Sequence, residues 1–241
     1  FTAIVGPNGA GKSSLLKVLS HEQRAHSGKV MLNGKSIRKY KPKELSRVRS
    51  VLAQHSNLQF AFTVSEVIAL SRQSHSTSRD ENAKLIEEVM EATGTLSLAE
   101  RNYLTLSGGE KQRVQLARVL AQVWDETLFP RYVLLDEPTS SMDIAQQQSM
   151  FSTVKKICSR NIGVLAIVHD LNVAAQFADY IYMMNKGQVV GSGTVAEVFT
   201  KQNIEHTFCC KVNVYHDPCN NCPFIIPEAE GMPVTQIASI K

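Results

Sequence analysis

The sequence predicts an α/β fold, a parallel sheet flanked by helices, from three observations. Phe1 to Val5 is an apolar stretch that runs into a glycine-rich turn, Gly6-Pro7-Asn8-Gly9-Ala10-Gly11, and then into a helix from Ser13 to about Ser20. Tyr132-Val133-Leu134-Leu135 suits a fully buried strand and stops on two adjacent carboxylates, Asp136 and Glu137. Ile162 to Val168 is a second buried run, and it stops on His169-Asp170. Between these two strands Asp143 to about Ser159 has helical spacing, and strand, helix, strand is the order that a parallel crossover requires.

The remaining elements follow in chain order. Gly28 to Gly34 alternates apolar and polar residues and closes on Asn33-Gly34, a strand ending in a turn. Pro42 opens a short helix, and Val51-Leu52-Ala53-Gln54 is a short buried strand ending on a polar residue. Thr63 with Glu66 three residues later is a capping box ahead of the apolar face Val64, Val67, Ile68. Ser74 to Asp80 reads as an exposed polar loop, and Glu81 to about Thr93 as a helix with Leu85, Ile86, Val89 and Met90 on one face. Ser107-Gly108-Gly109-Glu110 opens a strongly periodic helix. Tyr180 to Met184 and Gln188 to Val190 flank Asn185-Lys186-Gly187 as a hairpin, and Thr194 opens a terminal helix.

The bulk numbers set limits on this reading. A chain of 241 residues, 43% hydrophobic and 20% charged, suits one globular domain with a sizeable core. No run approaches the roughly 18 apolar residues that span a bilayer. A net charge of +4, spread along the chain, does not call for a nucleic-acid partner. Five cysteines, an odd number, argue against a secreted disulfide framework. The sequence begins at Phe1, already inside the strand that feeds the glycine turn, and reads as lacking strands upstream of it.

Gly6, Gly11, Lys12 and Ser13 meet the pattern of a phosphate-binding loop, or P-loop. Backbone N–H groups of such a turn face a phosphate chain, the helix start adds its positive dipole end, Lys12 reaches the outer phosphates and Ser13 serves Mg²⁺. The free N–H groups behind Ser107 make a second anion site at a helix N-terminus, one more than a single nucleotide needs. Asp136 and Glu137 fall at the carboxyl edge of the sheet, where Asp136 can hold Mg²⁺ and Glu137 can polarise an attacking water.

These segments occur in the order Lys12-Ser13, Gln54, Leu106-Ser107-Gly108-Gly109-Glu110, Leu134 to Ser140 and His169, and the chain resembles the nucleotide-binding subunit of ATP-binding-cassette (ABC) transporters over nearly its whole length. The resemblance implies a P-loop NTPase fold with a RecA-like core over residues 1–55 and 121–200. It also implies a helical subdomain over 56–120 and a C-terminal segment over 201–241, all within a single nucleotide-binding domain. It implies that Gly6, Pro7, Asn8, Gly9, Ala10, Gly11, Lys12, Ser13 and Ser14 bind the phosphates of ATP. Ser13, Gln54 and Asp136 would serve Mg²⁺, and Glu137, His169, Gln54 and Lys12 the hydrolysis. Ser107, Gly108, Gly109 and Glu110 would be the signature motif, which covers the nucleotide of a second copy in a head-to-tail dimer, and Ser141 to Asp143 the D-loop.

Implied partners are that second copy, transmembrane permease subunits and, indirectly, a periplasmic binding protein, with the chain peripheral on the cytoplasmic face of the bacterial inner membrane. Gln54 to Leu58 with Phe60 to Val64, the stretch Gln122 to Arg131, and His169 to Asn172 resemble the haem-import branch. Siderophore and vitamin B12 importers are near neighbours, and a cassette that only binds a partner is the non-enzymatic alternative. His206, Cys209, Cys210, His216, Cys219 and Cys222 crowd the tail, but there is one C-x-x-C, and Pro223 stands where a c-type haem site requires His. This segment is read as a terminal strand with incidental thiols.

Overall fold

The computed structural model describes residues 1–54, 60–140, 142–218 and 222–228. Strand β1 (Thr2–Val5) feeds the glycine turn and helix α1 (Lys12–Leu19). A small hairpin, β2 (Met31–Leu32) and β3 (Lys35–Ser36), precedes α2 (Pro42–Val48) and β4 (Arg49–Leu52). Three helices follow, α3 (Val64–Ala69), α4 (Arg79–Ala92) and α5 (Gly108–Ala121). Then come β5 (Arg131–Asp136), α6 (Ile144–Ile157), β6 (Ile162–Ile167) and α7 (Leu171–Phe177). The described chain closes with hairpin β7 (Tyr180–Asn185) and β8 (Gln188–Gly193), helices α8 (Val195–Val198) and α9 (Lys201–Phe208), and hairpin β9 (Val212–Asp217) and β10 (Cys222–Pro227).

The main sheet has the order β4-β5-β6-β1-β7-β8. It is parallel from β4 to β7, and β8 joins it antiparallel with a bulge at Met183/Met184. Residues alternate between two buried faces, the pattern expected of a sheet covered on both sides. Ala3, Val5, Val133, Leu135, Val164 and Ala166 meet the large core. Ile4, Leu134 and Ile167 pack with Leu16 of α1 and with Met184. Phe151 of α6, 1% exposed, stacks between Phe1 at 5.9 Å and Phe177 at 5.7 Å, so burying this one ring contributes about 2–3 kcal/mol.

Helices α3 and α4 pack on α5, each of the three opened by a side-chain cap from Thr63, Ser78 or Ser107 with a glutamate three residues on. Behind them Arg72, 4% exposed, donates to both carboxylate oxygens of Asp125 at 2.6 and 2.9 Å, to the Ala121 carbonyl and to Asn82. His75 Nε2 reaches the same carboxylate at 3.2 Å. Burial alone would raise the Asp125 carboxyl. The hydrogen bonds from His75 and Arg72, with their charges, outweigh it and hold the group well below the usual carboxylate range. Trp124 donates to Glu88 of α4 at 3.1 Å and lies under the Arg160 guanidinium at 4.3 Å, so the stretch after α5 is fastened to both α4 and the end of α6.

Several expectations shift. The strand read at 28–34 is only Met31–Leu32, because Asn33 (φ 49°) and Gly34 (φ 73°) make a two-residue hairpin turn that sends the chain back as β3. The strand read at 51–54 runs two residues earlier, over Arg49–Leu52, where it pairs with Tyr132 to Leu135. The loop read at 74–80 is shorter, since α4 starts at Arg79 once Ser78 caps it. The tail forms the β9–β10 hairpin, with Cys209 in the left-handed region at the end of α9. Cys219 lies outside the described residues.

Candidate functional site

The glycine turn is built against the β7–β8 hairpin. Gly6 has φ 150°, and a Cβ there would lie 2.1 Å from the Met184 carbonyl oxygen, so only glycine fits. Gly11 has φ 94° and caps α1 in the left-handed region, and Gly187 N–H donates to the Ala10 carbonyl at 2.9 Å. Lys12, 6% exposed, folds across the turn and donates to the carbonyls of Gly6 at 2.7 Å and Pro7 at 3.0 Å. Burial lowers its pKa, against the opposing pull of Glu137 and Asp136. Asn8, Gly9 and Ser14 are exposed at the rim, while Gly6 and Ala10 are buried.

Parallel pairing of β4, β5 and β6 brings three more groups to the same edge. Leu52 pairs with Leu135, and Asp136 pairs with Ile167, so Gln54, Asp136 with Glu137, and His169 leave adjacent strands side by side. Ser13 Oγ donates to Asp136 Oδ1 at 3.4 Å. Burial first, then repulsion by Glu137, raise the Asp136 pKa. Glu137 sits in the left-handed region at φ 50°, which turns its side chain off the strand line. One of its oxygens accepts from Gln54 Nε2 at 2.7 Å, and the other lies 2.6 Å from His169 Nε2. His169 is placed by the residue after it: Asp170 accepts from Asn172 N–H at 2.8 Å and from Val173 N–H at 3.2 Å, capping α7.

Ser107 to Glu110 stand apart from that cluster, at the start of α5. Ser107 N–H donates to Glu110 Oε2 at 2.7 Å, Glu110 N–H donates to Ser107 Oγ at 3.3 Å, and Arg101 pairs with the other Glu110 oxygen at 2.9 Å. The Glu110 carboxylate is thus committed to its own helix end, and among the described residues no acceptor meets the N–H groups of Gly108 and Gly109 in the first turn. Met142 and Asp143 are in place, with Asp143 capping α6 through Gln146 N–H at 2.8 Å. His55 to Leu58 and Ser141 lie outside the described residues.

Two contacts escape sequence reasoning. Gln146 lies against Gly109, and Asn172 exchanges two hydrogen bonds with Ile225, at 2.7 and 3.1 Å, to pin β10 beside the His169 segment. Neither has a local spacing signal, because each partner is far away in the chain.

The oxygen donors available, the Ser13 hydroxyl, the Gln54 amide and the Asp136 carboxylate, are the hard ligands that suit Mg²⁺. A lysine, the backbone N–H groups of a glycine turn and two adjacent carboxylates can together grip a phosphate chain and direct a water at it.

Residues 1–140 match the family model described as ABC transporter. A hemin import ATP-binding protein HmuV of Gloeobacter violaceus is 45% identical over 228 residues, covering 93% of this chain and 83% of the relative. Its namesake in Rhizobium meliloti is 40% identical, covering 96% and 89%. Among solved structures, an ABC transporter in an inward-facing conformation superposes with TM-score 0.78 at 23% identity, over 95% of this chain and 87% of that one.

Proposed function

Because this chain belongs to the ABC transporter family, whose ATP-binding subunits are ATPases working with transmembrane permease components, we propose that it powers the import of haem. The relatives named for hemin import support the cargo. The observation that carries the catalytic reading is the Glu137 carboxylate held between Gln54 and His169, one residue after the Ser13–Asp136 pair.

In this reading ATP lies along Gly6 to Ser14, and Lys12 leaves the Gly6 and Pro7 carbonyls for the outer phosphates. Ser13, Asp136 and Gln54 would hold Mg²⁺, which would supply positive charge against the phosphates. Glu137 orients and polarises the attacking water, and His169 and Gln54 hold the Glu137 carboxylate at the angle this requires. Ser107 to Glu110 of a second copy close the site, with the Gly108 and Gly109 N–H groups facing the outer phosphate. Exclusion of water by that second copy strengthens each of these contacts.

Permease subunits seat on the helical side, where α3 and α4 wall a groove of about 760 Å³ that includes Glu66, Arg72, Gln73 and Met90. Among the described residues no helix is long and apolar enough to cross a membrane, and the permease holds the chain at the cytoplasmic face of the inner membrane. The test is Mg²⁺-dependent ATP hydrolysis in vesicles carrying a haem permease, with haem uptake followed by absorbance. Turnover stimulated by the permease, coupled to haem uptake and absent in Glu137→Gln, is expected. Stimulated turnover without haem movement would overturn the cargo, and turnover by Glu137→Gln at the parent rate would overturn the site.

A further inference from the structure

Among the described residues, the side chain of Gln146 brings the helix that follows Glu137 against the start of α5. Asp143 caps α6 by accepting from the backbone N–H of Gln146 at 2.8 Å, and Gln147 Nε2 donates to the Met142 carbonyl at 3.2 Å, so the first turn of α6 is tied to the chain leaving the acid pair. The side chain of Gln146 then lies on Gly109. A Cβ at position 109 would be 2.1 Å from Gln146 Oε1, 2.7 Å from its Cδ and 2.9 Å from its Nε2. Gly109 is buried in the first turn of α5, and the missing Cβ is the space the Gln146 amide occupies.

We infer that Gln146 is a positioning residue that sets the aim of the Gly108–Gly109 turn and links it mechanically to the acid pair of its own chain. The inference rests on the proposed function, in which those two features serve different nucleotides. Asp136 and Glu137 act on the ATP bound by this chain, and the α5 turn covers the ATP bound by the second copy. Gln146 lies on the α5 turn with its amide and, by its backbone N–H, bonds Asp143 on the chain that leaves the acid pair. A shift of the segment after Glu137 therefore moves the α5 turn relative to the other nucleotide, and the reverse holds equally, since coupling between two sites is reciprocal.

Two substitutions separate positioning from simple filling of space. Gln146→Ala removes the amide, and the isosteric Gln146→Glu keeps the shape but sets a negative charge beside N–H groups meant for phosphate. Gln148→Ala is the matched control, since Gln148 lies on the same helix and bonds to Gln176 at 2.9 Å. Each is made in the full chain, and also in the Glu137→Gln background for association.

Nucleotide binding by the single chain is measured with a fluorescent ATP analogue, ATP-driven association by analytical ultracentrifugation, and turnover against ATP concentration with permease present. Expected are parent-like nucleotide binding in all three variants and ATP-driven association weakened about tenfold in Gln146→Ala and further in Gln146→Glu. The Gln146→Glu loss should be relieved by salt. The Hill coefficient should fall toward 1 for both Gln146 variants and stay at the parent value for Gln148→Ala. Parent-like association and Hill coefficient in both Gln146 variants overturn the inference alone. Absence of ATP-driven association in the Glu137→Gln parent overturns the proposed function, and the inference with it.

Discussion

His169 Nε2 lies 2.6 Å from Glu137 Oε1, while Gln54 occupies the second oxygen of the same carboxylate. A group held at both oxygens and set at φ 50° has its direction fixed before any substrate arrives. Glu137→Gln keeps the size and much of the hydrogen bonding but loses the charge. It should retain ATP binding, lower turnover by about 100-fold or more, and hold the ATP-bound dimer long enough to be seen by gel filtration. His169→Ala should also lower turnover while leaving ATP affinity within a fewfold of the parent.

Lys12 makes its two hydrogen bonds to loop carbonyls, which draw its ammonium into the turn. Lys12→Ala should weaken ATP binding by about 10- to 100-fold, the equivalent of one charge-assisted hydrogen bond, with the far-UV spectrum unchanged. Calorimetric titration with ATP checks this, and an unchanged affinity would remove Lys12 from the phosphate site.

Gly6→Ala should act on folding before it acts on nucleotide. The new Cβ meets a backbone oxygen 2.1 Å away, at a φ of 150° that an L side chain rarely adopts. A loss of about 2–4 kcal/mol in urea unfolding is expected, through displacement of the β7–β8 bulge.

Asp125→Asn leaves Arg72 buried without its anion. With a third of the Asp125 side chain still in contact with water (32% exposed), the cost should be about 2 kcal/mol at pH 7, below that of a fully enclosed pair. The folded-state pKa of Asp125 is depressed from its ordinary 3.8, so its contribution is complete above that value and is lost as pH falls beneath it. The stability gap between parent and Asp125→Asn should therefore narrow as pH falls below the ordinary carboxylate range.

The legible part of this molecule is the part with local signals. Val133-Leu134-Leu135 followed by Asp136-Glu137 announces a buried strand and its functional end within five residues, and Ser107 with Glu110 announces a helix start by spacing alone. The glycine turn is equally local, although nothing in it says that Met184, far along the chain, supplies the wall that excludes a side chain at Gly6. Pairings such as Arg72 with Asp125, Gln146 with Gly109 and Asn172 with Ile225 have no periodicity to betray them. They become visible only when the sheet order brings distant segments together. The offset in β4 has the same origin, because its register is decided by Tyr132 to Leu135 and not by its own apolar residues.

The place of β1 in the sheet also governs how the molecule comes into being. Thr2 pairs on one side with Leu165 and on the other with Tyr180, so the strand made first among those described has partners that are made long after it. Until then it is an apolar ribbon with both edges open, the kind of segment that nascent-chain chaperones shield. The α3–α5 unit is assembled from sequence neighbours and can settle early. The wall under Gly6 is complete only when Met184 is in place, so a chain halted before that hairpin carries every residue of the glycine turn without the carbonyl that packs against it.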